Sequence, residues 1–152
     1  KYQIMIRVYT KDRHIEKITK FLNSINLKYE IFTDEIEKDS TRFELGISYC
    51  YPKKISKHLL SIPKKGFINY HPGPLPEYKG PSEYENAIRN KEIKWGVTVH
   101  HMNEEFDSGK IIQVRYFDLH EPANSIEELG AVSHYFLFNL FKDTIKKIYE
   151  NN

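Results

Sequence analysis

The sequence predicts an α/β fold of Rossmann-like type, a mainly parallel sheet flanked by helices, and three stretches carry that expectation. Ile4 to Tyr9 alternates enough for a strand, Ile15, Ile18, Phe21, Leu22 and Ile25 recur at helical spacing, and Tyr29 to Phe32 is strand-like again. This β-α-β unit favours parallel strands joined by a right-handed crossover. Leu45 to Tyr51 is nearly continuous apolar sequence, as expected of a central strand covered on both faces. Phe67 to His71 has a period-two rhythm that stops at Pro72, where strand chemistry gives way to turn chemistry within one residue.

The remaining elements follow in order. Lys11-Asp12 breaks the first strand, Asp34 to Arg42 is a polar loop or short helix, and Pro52 ends the third strand. A short helix from Ser56 to Leu60 leads through Pro63-Lys64-Lys65-Gly66 into Phe67. Glu83 to Arg89 forms another helix, and Trp95 to His101 is a strand paired with Ile111 to Phe117 across the loop Met102 to Lys110. Asn124 with Glu127 reads as the cap of a final helix reaching Tyr149. Its Leu129, Val132, Phe136, Leu137, Leu140 and Phe141 make an apolar stripe that belongs to the core.

With 152 residues, 39% of them hydrophobic and 14% aromatic, the chain can bury a sizeable core, and the expectation is one domain over residues 1–152. The 23 basic and 21 acidic residues leave a net charge of +2, so no global field calls for nucleic acid. One cysteine, Cys50, excludes an internal disulfide and is expected in packing. The absence of a long apolar run and of a visible signal peptide points to a cytoplasmic protein that does not enter a membrane. No G-x-G-x-x-G or Walker pattern supports a nicotinamide or ATP site.

Candidate chemistry centres on Asn69, His71 and Asp107. Two residues apart on one strand, Asn69 and His71 share a face at the carboxyl end of that strand, the edge where open α/β sheets bind ligands. The pair suits acyl transfer to an amine. An Asn amide can donate to the oxyanion that forms on the attacked carbonyl. A neutral His can accept the amine proton, and a carboxylate such as Asp107 would hold the imidazole in one tautomer. The plainer readings are that Asn69 and His71 cap a turn or face solvent and that Asp107, before Ser108-Gly109, is a turn former. His71, His100, His101 and Asp107 are also zinc-ligand types. Adjacent His100 and His101 point to opposite strand faces and no H-x-x-x-H helix is present, so the expectation is no metal, with His100 bordering the pocket. Pro72, Pro74 and Pro76 fix three backbone angles, with Leu75-Pro76 the expected cis bond; a stiff surface turn without ligand contact is the alternative.

The run Asn69-x-His71-Pro72-Gly73-Pro74-Leu75-Pro76-x-Tyr78-Lys79-Gly80, then Ala87-Ile88, Gly96-Val97-Thr98-Val99-His100 and Asp107-Ser108-Gly109-Lys110-Ile111-Ile112, resembles the folate-dependent formyltransferases. These include the glycinamide ribonucleotide, methionyl-tRNA and sugar N-formyltransferases. The resemblance is specific from about Gly66 to Ile112 and implies Asn69, His71 and Asp107 as the catalytic set, with 10-formyltetrahydrofolate as donor. Further back, Gly46 to Ser56 looks like the strand and loop that wrap the folate in the family, which brings in Tyr49, Tyr51 and Pro52. Tyr78, Lys79 and Gly80 are then expected beside the acceptor or its phosphates, and Pro74 and Leu75 among the residues that bind substrate or cofactor. The family usually carries about twice as much chain before the strand near Leu45, so the expected fold is a reduced formyltransferase fold.

Likeness to the smaller sugar-modifying members around Ile47 to Ser56 and His71 to Gly80 implies a nucleotide-linked amino sugar as acceptor. Two alternatives stay open beside it. One is the same site taking an acetyl group from acetyl-CoA; the other is a binding module without catalysis. Small-molecule substrates are the expected partners, with either a homodimer or a place in a longer chain.

Overall fold

β1 (Met5–Tyr9), α1 (Asp12–Ser24) and β2 (Lys28–Phe32) form the β-α-β unit, in a computed structural model that describes residues 5–35, 41–105 and 108–150. β1 pairs in parallel with β2 on one side and with β3 (Leu45–Tyr49) on the other. All five β3 residues are buried, as its continuous apolar sequence requires of a strand covered on both faces. The third strand stops at Tyr49, two residues earlier than the sequence suggests, because Cys50 adopts a left-handed backbone with φ of 52°. Cys50 therefore sits beyond the strand rather than within it. Ile4 and residues 36–40 of the expected Asp34–Arg42 loop lie outside the described residues.

The further elements are α2 (Lys57–Ser61), β4 (Phe67–His71), α3 (Glu83–Arg89), β5 (Lys94–His101), β6 (Ile111–Asp118) and α4 (Ile126–Tyr149). Among the described residues six strands lie in the order β2-β1-β3-β4-β5-β6. β5 and β6 are antiparallel, with a bulge-like register shift at Val99/His100, so the sheet is mixed. The chain packs as two compact units, Lys1–Asn69 with His101–Lys110, and Tyr70–His100 with Ile111–Asn152.

In the first unit, Tyr9, Phe43, Tyr51, Ile55, Leu59 and Phe67 form a buried cluster, with Tyr9 stacked on Phe32 at 5.4 Å. Arg7 is almost fully buried; its guanidinium lies over Phe43 at 4.3 Å and reaches Glu30 at 3.2 Å. Thr10 donates to the Tyr49 carbonyl at 2.7 Å, tying together the carboxyl ends of β1 and β3. The Phe67 ring lies on Gly46 so closely that a Cβ there would sit 2.5 Å from three ring carbons. Only glycine lets β3 come this near the first residue of β4. Ser56 caps α2 by accepting from Leu59 N at 3.1 Å.

In the second unit, Trp95 packs with Ala87 and Leu129 and makes ring contacts with Tyr78 at 4.7 Å and Tyr84 at 6.3 Å. Its indole N–H donates to Ser133 Oγ at 2.8 Å, so the one polar atom of the ring is satisfied in the core. Leu129, Leu137, Leu140, Phe141 and Ile145 line the buried face of α4. From β4, Tyr70 reaches the same helix, its hydroxyl 2.6 Å from Thr144 Oγ1 and its ring edge-on to Phe141 at 5.1 Å. The cap of α4 falls one residue later than Asn124: Ser125 Oγ accepts from Glu128 N at 3.1 Å, and the Glu128 carboxylate accepts from Asn124 N at 2.9 Å. Among the described residues no helix is long and apolar enough to cross a membrane.

Candidate active site

β4 begins and ends where its sequence pattern does, at Phe67 and His71. Along it Ile68 and Tyr70 point one way, and Asn69 and His71 point the other. Asn69 is half-buried and His71 is buried. The loop that follows is held from β5. Thr98 Oγ1 donates to the Gly73 carbonyl at 2.8 Å and accepts from Leu75 N at 3.1 Å, and Tyr78 N donates to the Pro74 carbonyl at 2.9 Å. The Leu75-Pro76 bond is cis, as expected. Gly73, Pro74 and Leu75 are buried, so the loop is anchored through its first half and is not a free surface turn; Pro76, Glu77 and Lys79 are exposed.

His71 Nε2 lies 3.0 Å from the Tyr78 carbonyl with hydrogen-bond geometry. It also lies 2.7 Å from Glu83 Oε2, a pair whose side chains are 7% and 9% exposed. That second contact is close in distance but off the line of a conventional hydrogen bond. Glu83 is the first residue of α3, where a carboxylate is favoured by the positive end of the helix dipole. Gly73 makes room for the pair: a Cβ there would stand 3.1 Å from Glu83 Oε2 and 3.3 Å from His71 Nε2.

Glu83 was not among the candidate residues. The sequence offers only its place in the first turn after Gly80-Pro81-Ser82, which reads as an ordinary helix start. Asp107, the carboxylate the sequence does single out, lies outside the described residues.

The other candidates fall in several places. His100 is 2% exposed on β5, whereas its neighbour His101 is exposed, in keeping with opposite strand faces. The Tyr49 ring is wholly buried, edge-on to His14 at 5.2 Å, and Tyr51 belongs to the cluster around Tyr9. Both rings are therefore core side chains, while Pro52 is exposed. Pro74, Tyr78 and Lys79 line an open groove of about 480 Å³ that also takes in Glu92, Lys94 and Tyr116. The Tyr78 phenol donates to Glu92 at 2.9 Å and accepts from Asn90 at 2.9 Å; burial pushes its pKa up. Gly80 closes the loop with a φ of 95°, a conformation that favours glycine.

Comparison with known proteins follows the same line. The sequence profile of the formyl transferase family matches residues 20–137. A methionyl-tRNA formyltransferase from Borrelia hermsii is 34% identical over 109 residues, covering 72% of this chain and 35% of that protein. The chain thus spans about a third of the length of this curated relative. Among solved structures, a 4-N formyltransferase from Francisella tularensis is similar with a TM-score of 0.77 at 23% identity, over 100% of this chain and 72% of the other. An N-formyltransferase from Helicobacter canadensis, solved with folinic acid and dTDP-3-aminofucose, gives a TM-score of 0.77 at 19% identity over 97% and 65%. At such identities these two likenesses carry the fold.

Proposed function

Because the chain belongs to the formyl transferase family, we propose that it moves a formyl group from 10-formyltetrahydrofolate to the amine of a nucleotide-linked amino sugar. The observation that carries this reading is the pairing on β4, where Asn69 and His71 share one face beside a loop anchored by Thr98. In the proposed reaction the acceptor nitrogen attacks the formyl carbon. The Asn69 amide donates to the oxygen as it becomes negative, and His71 takes the proton leaving the nitrogen. The tetrahedral intermediate then collapses, breaking the bond to the folate nitrogen, which leaves protonated. Asp107 is proposed to stabilise the imidazolium in between.

The amino-sugar acceptor is supported by the resemblance around His71 to Gly80 and by the Helicobacter fold relative solved with dTDP-3-aminofucose. A second acceptor is favoured by the Borrelia relative, whose name points to methionyl-tRNA. None of the relatives described above is named as an acetyltransferase, and acetyl-CoA has no support among them.

The test is direct. The protein is incubated with 10-formyltetrahydrofolate or acetyl-CoA and a panel of nucleotide-linked amino sugars, with methionyl-tRNA in parallel, and the acceptor mass is read. A gain of one formyl group on a sugar nucleotide is the expected result. Formylation of methionyl-tRNA alone would replace the acceptor, and acetyl addition or binding without turnover would overturn the reaction.

A further inference from the structure

We propose that Glu83 is a positioning residue for His71: with the Tyr78 carbonyl, its carboxylate keeps the imidazole proton on Nε2 and makes Nδ1 the basic nitrogen. The argument starts from what surrounds Nε2. The Tyr78 carbonyl oxygen at 3.0 Å can only accept, and the Glu83 oxygen at 2.7 Å, though off the line of the N–H, sets the negative charge of an ionised carboxylate beside the same nitrogen. A bare Nε2 lone pair would face both the carbonyl oxygen and the carboxylate oxygen at those distances, so the two together hold the proton on Nε2, and the carbonyl alone does so less strongly. In the neutral ring the lone pair is then on Nδ1.

The carboxylate has a further effect once the ring gains a second proton. Buried beside Nε2, it stabilises the imidazolium where water is largely excluded, and the interaction is strongest where the dielectric is low. The position is built rather than incidental. Glu83 leads α3, Gly73 supplies the close approach, and Tyr78 is itself held by Glu92 and Asn90. Glu83 touches the ring and not the reacting atoms, so its role is to orient His71. This inference rests on the reading of His71 as the proton acceptor, but its first measurement does not require turnover.

The experiment records imidazole ¹⁵N signals of the labelled full chain, with His71 assigned from their loss in His71→Gln, for the parent, Glu83→Gln and Glu83→Ala. The parent should show the Nε2–H tautomer. Glu83→Gln, which keeps an acceptor but no charge, should retain that tautomer; Glu83→Ala should show mixed tautomers. With an acceptor in hand, kcat should fall by about 10²-fold in Glu83→Ala, and by less in Glu83→Gln, while KM stays within about twofold. A parent ring protonated on Nδ1 alone would overturn the proposal. So would a Glu83→Ala protein with parental signals and parental kcat, which would reduce Glu83 to a space-filling group. Should Glu83→Ala fail to fold, Glu83→Gln decides by the kcat loss at unchanged KM. If the parent formylates nothing, the tautomer still tests Glu83, and the failure then lies with the proposed reaction.

Discussion

His71→Gln is expected to leave a folded protein in which the proposed formyl transfer is about 10²–10⁴ times slower, the usual worth of a positioned general base. Glutamine can still donate toward the Tyr78 carbonyl and the Glu83 carboxylate, the two groups now met by Nε2. It has no basic nitrogen. Alanine is the poorer choice, because it would leave the buried Glu83 carboxylate without the ring beside it, and such a group is costly. Steady-state turnover is compared at matched substrate concentrations, with far-ultraviolet circular dichroism as the check on folding. If His71→Gln turns over within a few-fold of the parent, His71 is not the base, and the shared face on β4 has another use.

Trp95→Ala will cost about 3–5 kcal/mol, as expected for emptying an aromatic site in a core. For a chain of this size that lowers the thermal midpoint by on the order of 10 °C. Trp95 is wholly buried, contacts Tyr78 and Tyr84, and satisfies Ser133, which alanine would leave without its donor. The loss would also reach His71, because Tyr78 contributes both the ring against Trp95 and the carbonyl at Nε2. Thermal unfolding followed by circular dichroism measures the effect; Trp95 is the only tryptophan in the sequence, so tryptophan fluorescence would disappear with it. A midpoint within a degree or two of the parent would show that this cluster does not hold the second unit.

What the sequence reveals and conceals follows from the range of the forces involved. β4 and α3 are legible to the residue because strand alternation, Pro72 and the turn residues before Glu83 act locally. The end of β3 is misplaced because Pro52 is a visible stop, whereas the left-handed turn at Cys50 has no glycine to announce it. Asn124 and Ser125 are equally good caps by residue type, and only the geometry at Glu128 separates them. Tyr49 and Tyr51 lie in the stretch that suggests ligand contact, yet their rings are spent on the core. Glu83 escapes notice for a different reason. Its meaning comes from the chain turning back so that a residue twelve positions on meets His71, and no periodicity encodes such a meeting.

The Tyr70 hydroxyl, locked against Thr144, has a consequence in alkaline solution. Complete burial raises its pKa far above the ordinary 10.0, although the Thr144 bond pulls the other way. The folded chain therefore favours the neutral phenol. Its contribution to stability is intact below pH 10 and is lost progressively as the pH climbs past that value, because only the unfolded chain releases the proton readily. Phenolate absorbance from this ring should accordingly emerge together with loss of helical signal, not before it. The difference between parent and Tyr70→Phe spectra would then serve as an optical reporter of α4 lifting from β4.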